Sequence, residues 1–207
     1  MSSTENDGPL LEEKEYEFCG HTLKITTFRR ASLGLSAYVW TPGIVLCQYF
    51  HDEKIDFTGK KVLELGSGTG IVGILAVLLG GDVTMTDIPE VLKQIDHNVA
   101  ANIPVTSKSR SKVRALLWGT DQHNFPSDFD YILGSDIVYC PSYFPALIET
   151  LLHCCNEKTT IYLSTNMPAR KGSENFHQEL IPMKFNSEII HTSGMICIYK
   201  VNKKTTR

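Results

Sequence analysis

Glu64, Gly66, Gly68 and Gly70 stand together in the run Glu64-Leu65-Gly66-Ser67-Gly68-Thr69-Gly70, and a second acid, Asp87, closes the next apolar run. A buried strand, a glycine turn opening a helix, and an acid ending the following strand form the first half of a doubly wound nucleotide-cofactor site. Glycine at 66, 68 and 70 removes side chains where the backbone must turn sharply and approach a ligand. Asp87 at a strand end is suited to accept both hydroxyls of a ribose, and Ile88 beside it to cover one face of an adenine. Glu64 decides between cofactors: a carboxylate here would repel a pyrophosphate and attract a cationic amino-acid group. That favours S-adenosyl-L-methionine, which carries both an ammonium and a positive sulfur. A dinucleotide is the rival, because Gly68-Thr69-Gly70-Ile71-Val72-Gly73 fits G-x-G-x-x-G literally. Gly66 has already ended the strand, however, so Gly73 falls inside the helix.

A second constellation is Asp136-Ile137-Val138-Tyr139, after the apolar strand at 131–134. A carboxylate and an aromatic ring at this spacing converge on one cationic amine. Asp136 would attract the ammonium, and Tyr139 would orient the nitrogen by a hydrogen bond or a cation–π contact. The two tryptophans, Trp40 and Trp118, fall near the same sheet edge, where flat rings wall a cofactor. The seven histidines and six cysteines show no metal-ligand spacing, so no metal is expected, and the cysteines read as reduced and structural. A net charge of −3 speaks against a general nucleic-acid binder. No apolar run is long enough to span a bilayer and no leader-like pattern opens the chain, which implies a cytoplasmic protein.

The elements that must position these residues follow from periodicity. Residues 1–13 are small, polar and acidic and are expected to be a disordered tail. Residues 16–18 and 23–25 alternate around Cys19-Gly20-His21 as a hairpin, and Pro42 opens a helix through residue 50. From Lys61 onward, strands at 62–65, 83–86, 113–117, 131–134 and 160–164 alternate with helices at 69–79, 91–102 and 143–155. A weaker helix at 174–183 is limited by Pro182, and strands at 188–190 and 196–201 close the chain as a hairpin. This pattern predicts an α/β fold with a doubly wound, mostly parallel seven-stranded sheet, a C-terminal antiparallel hairpin and an N-terminal β-hairpin extension. Residues 14–207 form one domain, with the hairpin and first helix at 14–58 and a Rossmann-like core at 59–207.

The motifs together resemble the seven-strand protein-lysine methyltransferases of the methyltransferase-like group. The resemblance rests on Val39-Trp40, the 63–70 loop, Thr86-Asp87, Leu117-Trp118-Gly119 and the run from Leu133 to Tyr139, and it covers most of the chain from about residue 16. It implies a class I S-adenosylmethionine methyltransferase with cofactor contacts at Trp40, Gly66, Ser67, Gly68, Asp87, Trp118 and Ser135. The lysine-facing pair would be Asp136 and Tyr139. It also implies a protein substrate, translation elongation factor 1-alpha, with another protein such as a chaperone or a small amine as the alternative; nothing in the sequence demands more than a monomer. Three positions depart from the group: Thr41 where an acid is frequent, Ser135 where alanine is usual, and the 167–171 segment.

Overall fold

The computed structural model describes residues 10–167 and 172–205. Strands β1 (Leu10–Phe18) and β2 (His21–Arg29) form a hairpin whose turn residues, Cys19 and Gly20, both have positive φ, as a two-residue turn of right-handed twist requires. Residues 10–13 therefore belong to β1 and correct the expected tail, whose first nine residues lie outside the described part. Two tight helical turns over Ala31–Ala37, kinked at Gly34, lead into α1 (Thr41–Asp52), which carries Pro42 in its first turn.

The core follows as β3 (Lys61–Leu65), α2 (Ile71–Leu78), β4 (Asp82–Asp87), α3 (Leu92–Asn102), β5 (Ser111–Ala115), β6 (Tyr131–Ser135), α4 (Phe144–Cys154) and β7 (Thr160–Asn166). It ends with β8 (Phe185–Ser193) and β9 (Ile196–Lys203). The seven strands lie in the order β5-β4-β3-β6-β7-β9-β8, and only β9 runs against the others. The weak helix expected at 174–183 is broken into three short turns of different pitch, the last of them holding Pro182. Proline cannot donate to the helical ladder there.

Alternation along the buried strands sorts side chains to two cores. Val62, Val83 and Met85 face α1, α2 and α3, whereas Leu63, Leu65, Ile132 and Ile161 face α4. By the same parity Glu64 falls on the α2 side. Strand order reverses between β3 and β6, and the carboxyl ends of β3, β4, β5 and β6 surround that point, where open α/β sheets bind ligands.

The hairpin is moored to the core by a ladder of side-chain amides. Asn102, Asn98 and Gln94 lie at successive i, i+4 positions of α3 and meet alternate residues of β2. Asn102 Oδ1 accepts the Lys24 amide (2.7 Å), Asn98 Oδ1 that of Thr26 (2.8 Å) and Gln94 Oε1 that of Phe28 (2.7 Å). The side-chain nitrogens of Asn102 and Asn98 return bonds to the Lys24 and Thr26 carbonyls. These are the pairings a strand neighbour would make, supplied here by a helix.

Candidate active site

Four strand ends and the turns after them enclose one cleft of about 360 Å³, within the range of small-molecule pockets. Its floor is the glycine loop. Gly66 and Gly68 have φ of +62° and +56°, and a Cβ on Gly66 would come within 2.7 Å of Ile137 Cγ2. Only glycine holds that turn without strain. Gly70, at φ +82°, caps α2, so the helix opens at Ile71 rather than at Thr69.

The end of β4 locks the loop. The Ser67 amide donates to the Thr86 carbonyl at 2.9 Å, and the Thr86 amide returns a bond to Ser67 Oγ at 3.1 Å. Asp87 Oδ2 accepts the Gly68 amide and Oδ1 the Ile88 amide, each at 2.8 Å. Burial raises the pKa of the Asp87 carboxyl, and these two amide bonds offset only part of that rise. Each oxygen keeps further acceptor capacity, enough for the residue, which lines the cleft, to receive two vicinal hydroxyls. The residues present therefore fit an adenosine-bearing cofactor: a loop with no side chains in the way, and an acid beside it.

Trp118 and Leu116, after β5, and Ile88, after β4, give apolar walls. Trp40 is fixed by its indole N–H, which donates to the Leu35 carbonyl at 2.8 Å, and its ring meets Tyr38 edge to face. Ser135 lies against α1, where its Oγ would sit 3.3 Å from a Cβ on Gly43. Asp136 follows with φ +54°, a left-handed conformation that is uncommon for a residue with a side chain. Its amide donates to the Ser164 carbonyl of β7 at 2.8 Å, which holds that turn in place. Tyr139 is half-buried beside it, and burial first, then the neighbouring Asp87, raises its phenol pKa. It is thus a neutral O–H donor at physiological pH.

Nine of the ten expected site residues, Trp40, Gly66, Ser67, Gly68, Asp87, Trp118, Ser135, Asp136 and Tyr139, line this one cleft. Glu64 does not. It is buried behind the loop, where its Oε2 has no hydrogen-bond partner among the described residues and would sit 2.4 Å from a Cβ on Gly73. Burial pushes its carboxyl up to about 8, with the Ser67 hydroxyl and the Gly73 amide pulling the other way. The direct contact expected with a cofactor ammonium is replaced by a place under the loop. Leu35, Ser36, Tyr38 and Tyr143 also line the cleft and were not expected. The 31–37 segment has no periodicity that would announce it, although its glycine and serines could have marked a close approach.

A Rossmann-like sheet with this order, a glycine loop after its first core strand and an acid after its second define a class I S-adenosylmethionine-dependent methyltransferase. Residues 18–181 match the family described as lysine methyltransferase, and the chain belongs to that family. It is 49% identical over 194 residues to the EEF1A lysine methyltransferase 3 of Xenopus tropicalis, covering 93% of this chain and 86% of that one. With the Mus musculus protein of the same name it shares 51% identity over 178 residues, covering 86% and 76%. Among solved structures, the Thermus thermophilus (T. thermophilus) 16S rRNA N2 G1207 methyltransferase in complex with AdoMet and guanosine superposes with a TM-score of 0.67. The identity there is 15%, over 95% of this chain and 52% of that one; the likeness is one of fold. The chain is an S-adenosylmethionine-dependent protein-lysine methyltransferase, and the dinucleotide alternative falls.

Proposed function

We propose that this enzyme methylates a lysine of translation elongation factor 1-alpha, with Asp136 and Tyr139 receiving the lysine side chain. The observation that carries the reading is charge. Asp87 and Asp136 face one cleft from the ends of β4 and β6, on either side of β3, and no lysine, arginine or histidine lines it among the described residues. Such a cleft attracts cations and has nothing to offer an anionic substrate. The relatives at about half identity, named for elongation factor 1-alpha, support the choice of substrate.

When bound, the cofactor supplies a methyl group on a positive sulfur for transfer to an amine. Asp87 holds the ribose, Gly66, Ser67 and Gly68 leave room for the methionine part, and Trp118, Trp40 and Ile88 exclude water from the adenosine. Glu64 acts from behind by supporting the loop. Ser135 spaces α1 from the β6 end. Asp136 draws the lysine ammonium in by charge, and the Tyr139 phenol oxygen accepts from the nitrogen, aiming its lone pair once the proton has left to water. Positioning of this kind is a major source of rate. With that substrate the reaction belongs in the cytoplasm. A cleft complete within one chain makes a monomer sufficient, which light scattering of the purified protein tests.

The decisive experiment is transfer of labelled methyl from S-adenosylmethionine to purified elongation factor 1-alpha by the wild type and by Asp136→Ala. Label on a lysine that vanishes in the variant supports both assignments. No label despite bound cofactor removes the substrate.

A further inference from the structure

Gln94 has no direct place in the cleft, yet it touches three separate parts of the chain, two of which line it. Its side chain is fully buried in α3. Its Oε1 accepts the Phe28 amide of the hairpin at 2.7 Å, and its Nε2 donates to both the Ser36 carbonyl (2.8 Å) and the Gly68 carbonyl (3.0 Å). A carboxamide has two N–H donors, and both are used.

The preceding rungs, Asn98 and Asn102, return their nitrogens to the β2 residue they accept from. At Gln94 that return is not made: its nitrogen goes to the Ser36 and Gly68 carbonyls instead, where the Asn98 nitrogen reaches only the neighbouring Thr69 carbonyl, at 2.9 Å, beside its bond to Thr26. The last rung is thereby redirected from the hairpin to the cofactor loop.

We infer that Gln94 is a positioning residue for cofactor binding, setting the distance between the glycine floor and the 31–37 wall of the cleft. Both sides of the clamp matter to the ligand. Ser36 and Gly68 line the cleft, and a Cβ on Gly68 would sit 3.5 Å from the Ser36 carbonyl oxygen. Gly68 is held at its amide by Asp87 and at its carbonyl by Gln94, so its peptide orientation is fixed from both ends. Without the Gln94 nitrogen, two partly buried carbonyls lose a donor and the wall is free to drift from the floor. Because the same side chain holds Phe28, cofactor occupancy and hairpin docking stabilise each other. The inference rests on cofactor binding alone and is independent of which protein is methylated.

The test is calorimetric binding of S-adenosylhomocysteine, with steady-state kinetics, for wild type, Gln94→Met and Asn102→Ala. Met keeps the length and helix propensity of glutamine and removes its hydrogen bonds. Gln94→Met is expected to weaken cofactor binding by about tenfold or more and to raise KM for S-adenosylmethionine while kcat at saturation stays near wild type. Asn102→Ala loosens the hairpin where it is farthest from the loop and leaves cofactor affinity within about twofold, though its melting temperature falls. Equal losses in the two variants, or an unchanged affinity in Gln94→Met, overturns the proposal. A readout on the unsubstituted protein stands beside it: saturating S-adenosylhomocysteine slows hydrogen exchange at the Phe28 amide, and unchanged exchange there also overturns it.

Discussion

Asp87 Oδ2 and the Gly68 amide are joined by a 2.8 Å hydrogen bond, so the acid ending β4 and the turn ending β3 are one mechanical unit. The carboxylate that is free to receive a ribose is also what keeps the glycine loop in its ligand-ready shape. Cofactor recognition and loop geometry are thereby lost together.

Asp87→Ala tests that unity. It leaves the Gly68 and Ile88 amides without their acceptor and removes the sugar's partner. Hydrogen bonds to a charged group contribute about 1.5–3 kcal/mol, so S-adenosylhomocysteine affinity by calorimetry is expected to fall by at least tenfold. Asp87→Asn keeps one acceptor oxygen and falls between the two.

Asp136 combines a charge with a left-handed backbone, and two variants separate them. Asparagine tolerates that conformation, so Asp136→Asn keeps the fold and the cofactor affinity while methyl transfer drops by about 100-fold, the scale on which a preorganised polar group acts. Asp136→Val adds a β-branched residue at φ +54° and costs a further 1–3 kcal/mol or so of stability. Single-turnover transfer and thermal melting read the two effects independently.

Glu64 predicts a pH dependence. Its folded pKa of about 8 lies above the ordinary value of 4.5, so the folded state holds its proton more tightly than the unfolded one. Its contribution is complete below about pH 4.5 and is lost as pH rises toward 8. Stability should decline across that window, by up to about 4 kcal/mol between pH 5 and 8. Glu64→Gln, which cannot ionise, flattens the slope in melting temperature, at about 2–4 °C per kcal/mol for a domain of this size.

His177 predicts the opposite sign. It stacks on Tyr199 with centroids 3.8 Å apart and lies 3.0 Å from Thr165 Oγ1 through Nε2, and burial lowers its pKa to about 3. The neutral ring contributes stability that is intact above about pH 6.5 and is lost as pH falls toward 3. Urea titrations at pH 7 and pH 5 should show a loss on acidification of up to about 2 kcal/mol that His177→Phe abolishes. An equal loss in the variant sinks the assignment.

The glycine loop, Asp87 and the Asp136–Tyr139 pair were legible in the sequence because strand parity and glycine spacing are local. Glu64 was legible as a residue and misread in direction. The turn at Gly66 decides which way the loop faces, and the alternation of β3 sends residue 64 toward α2. Gly73 looked like the last glycine of a dinucleotide fingerprint; its real constraint is that a Cβ there would come within 2.4 Å of both Glu64 Oε2 and Met85 Cγ. Leu35 and Ser36 had only the glycine and serines of their segment to announce them, since a short helical turn carries no period. Gln94, Asn98 and Asn102 did leave a signal, carboxamides on one helical face, but its meaning depends on which strand lies opposite.

That helix standing in for a strand has a length limit. Four residues of helix advance about 6.0 Å, and two of strand about 6.4–6.8 Å. The two rulers slip by somewhat under 1 Å at each rung, so only a few rungs stay within reach. The ladder has three, and its last is glutamine, one methylene longer than the asparagines before it. Where the two periods part, the spare reach of that side chain is turned toward Gly68.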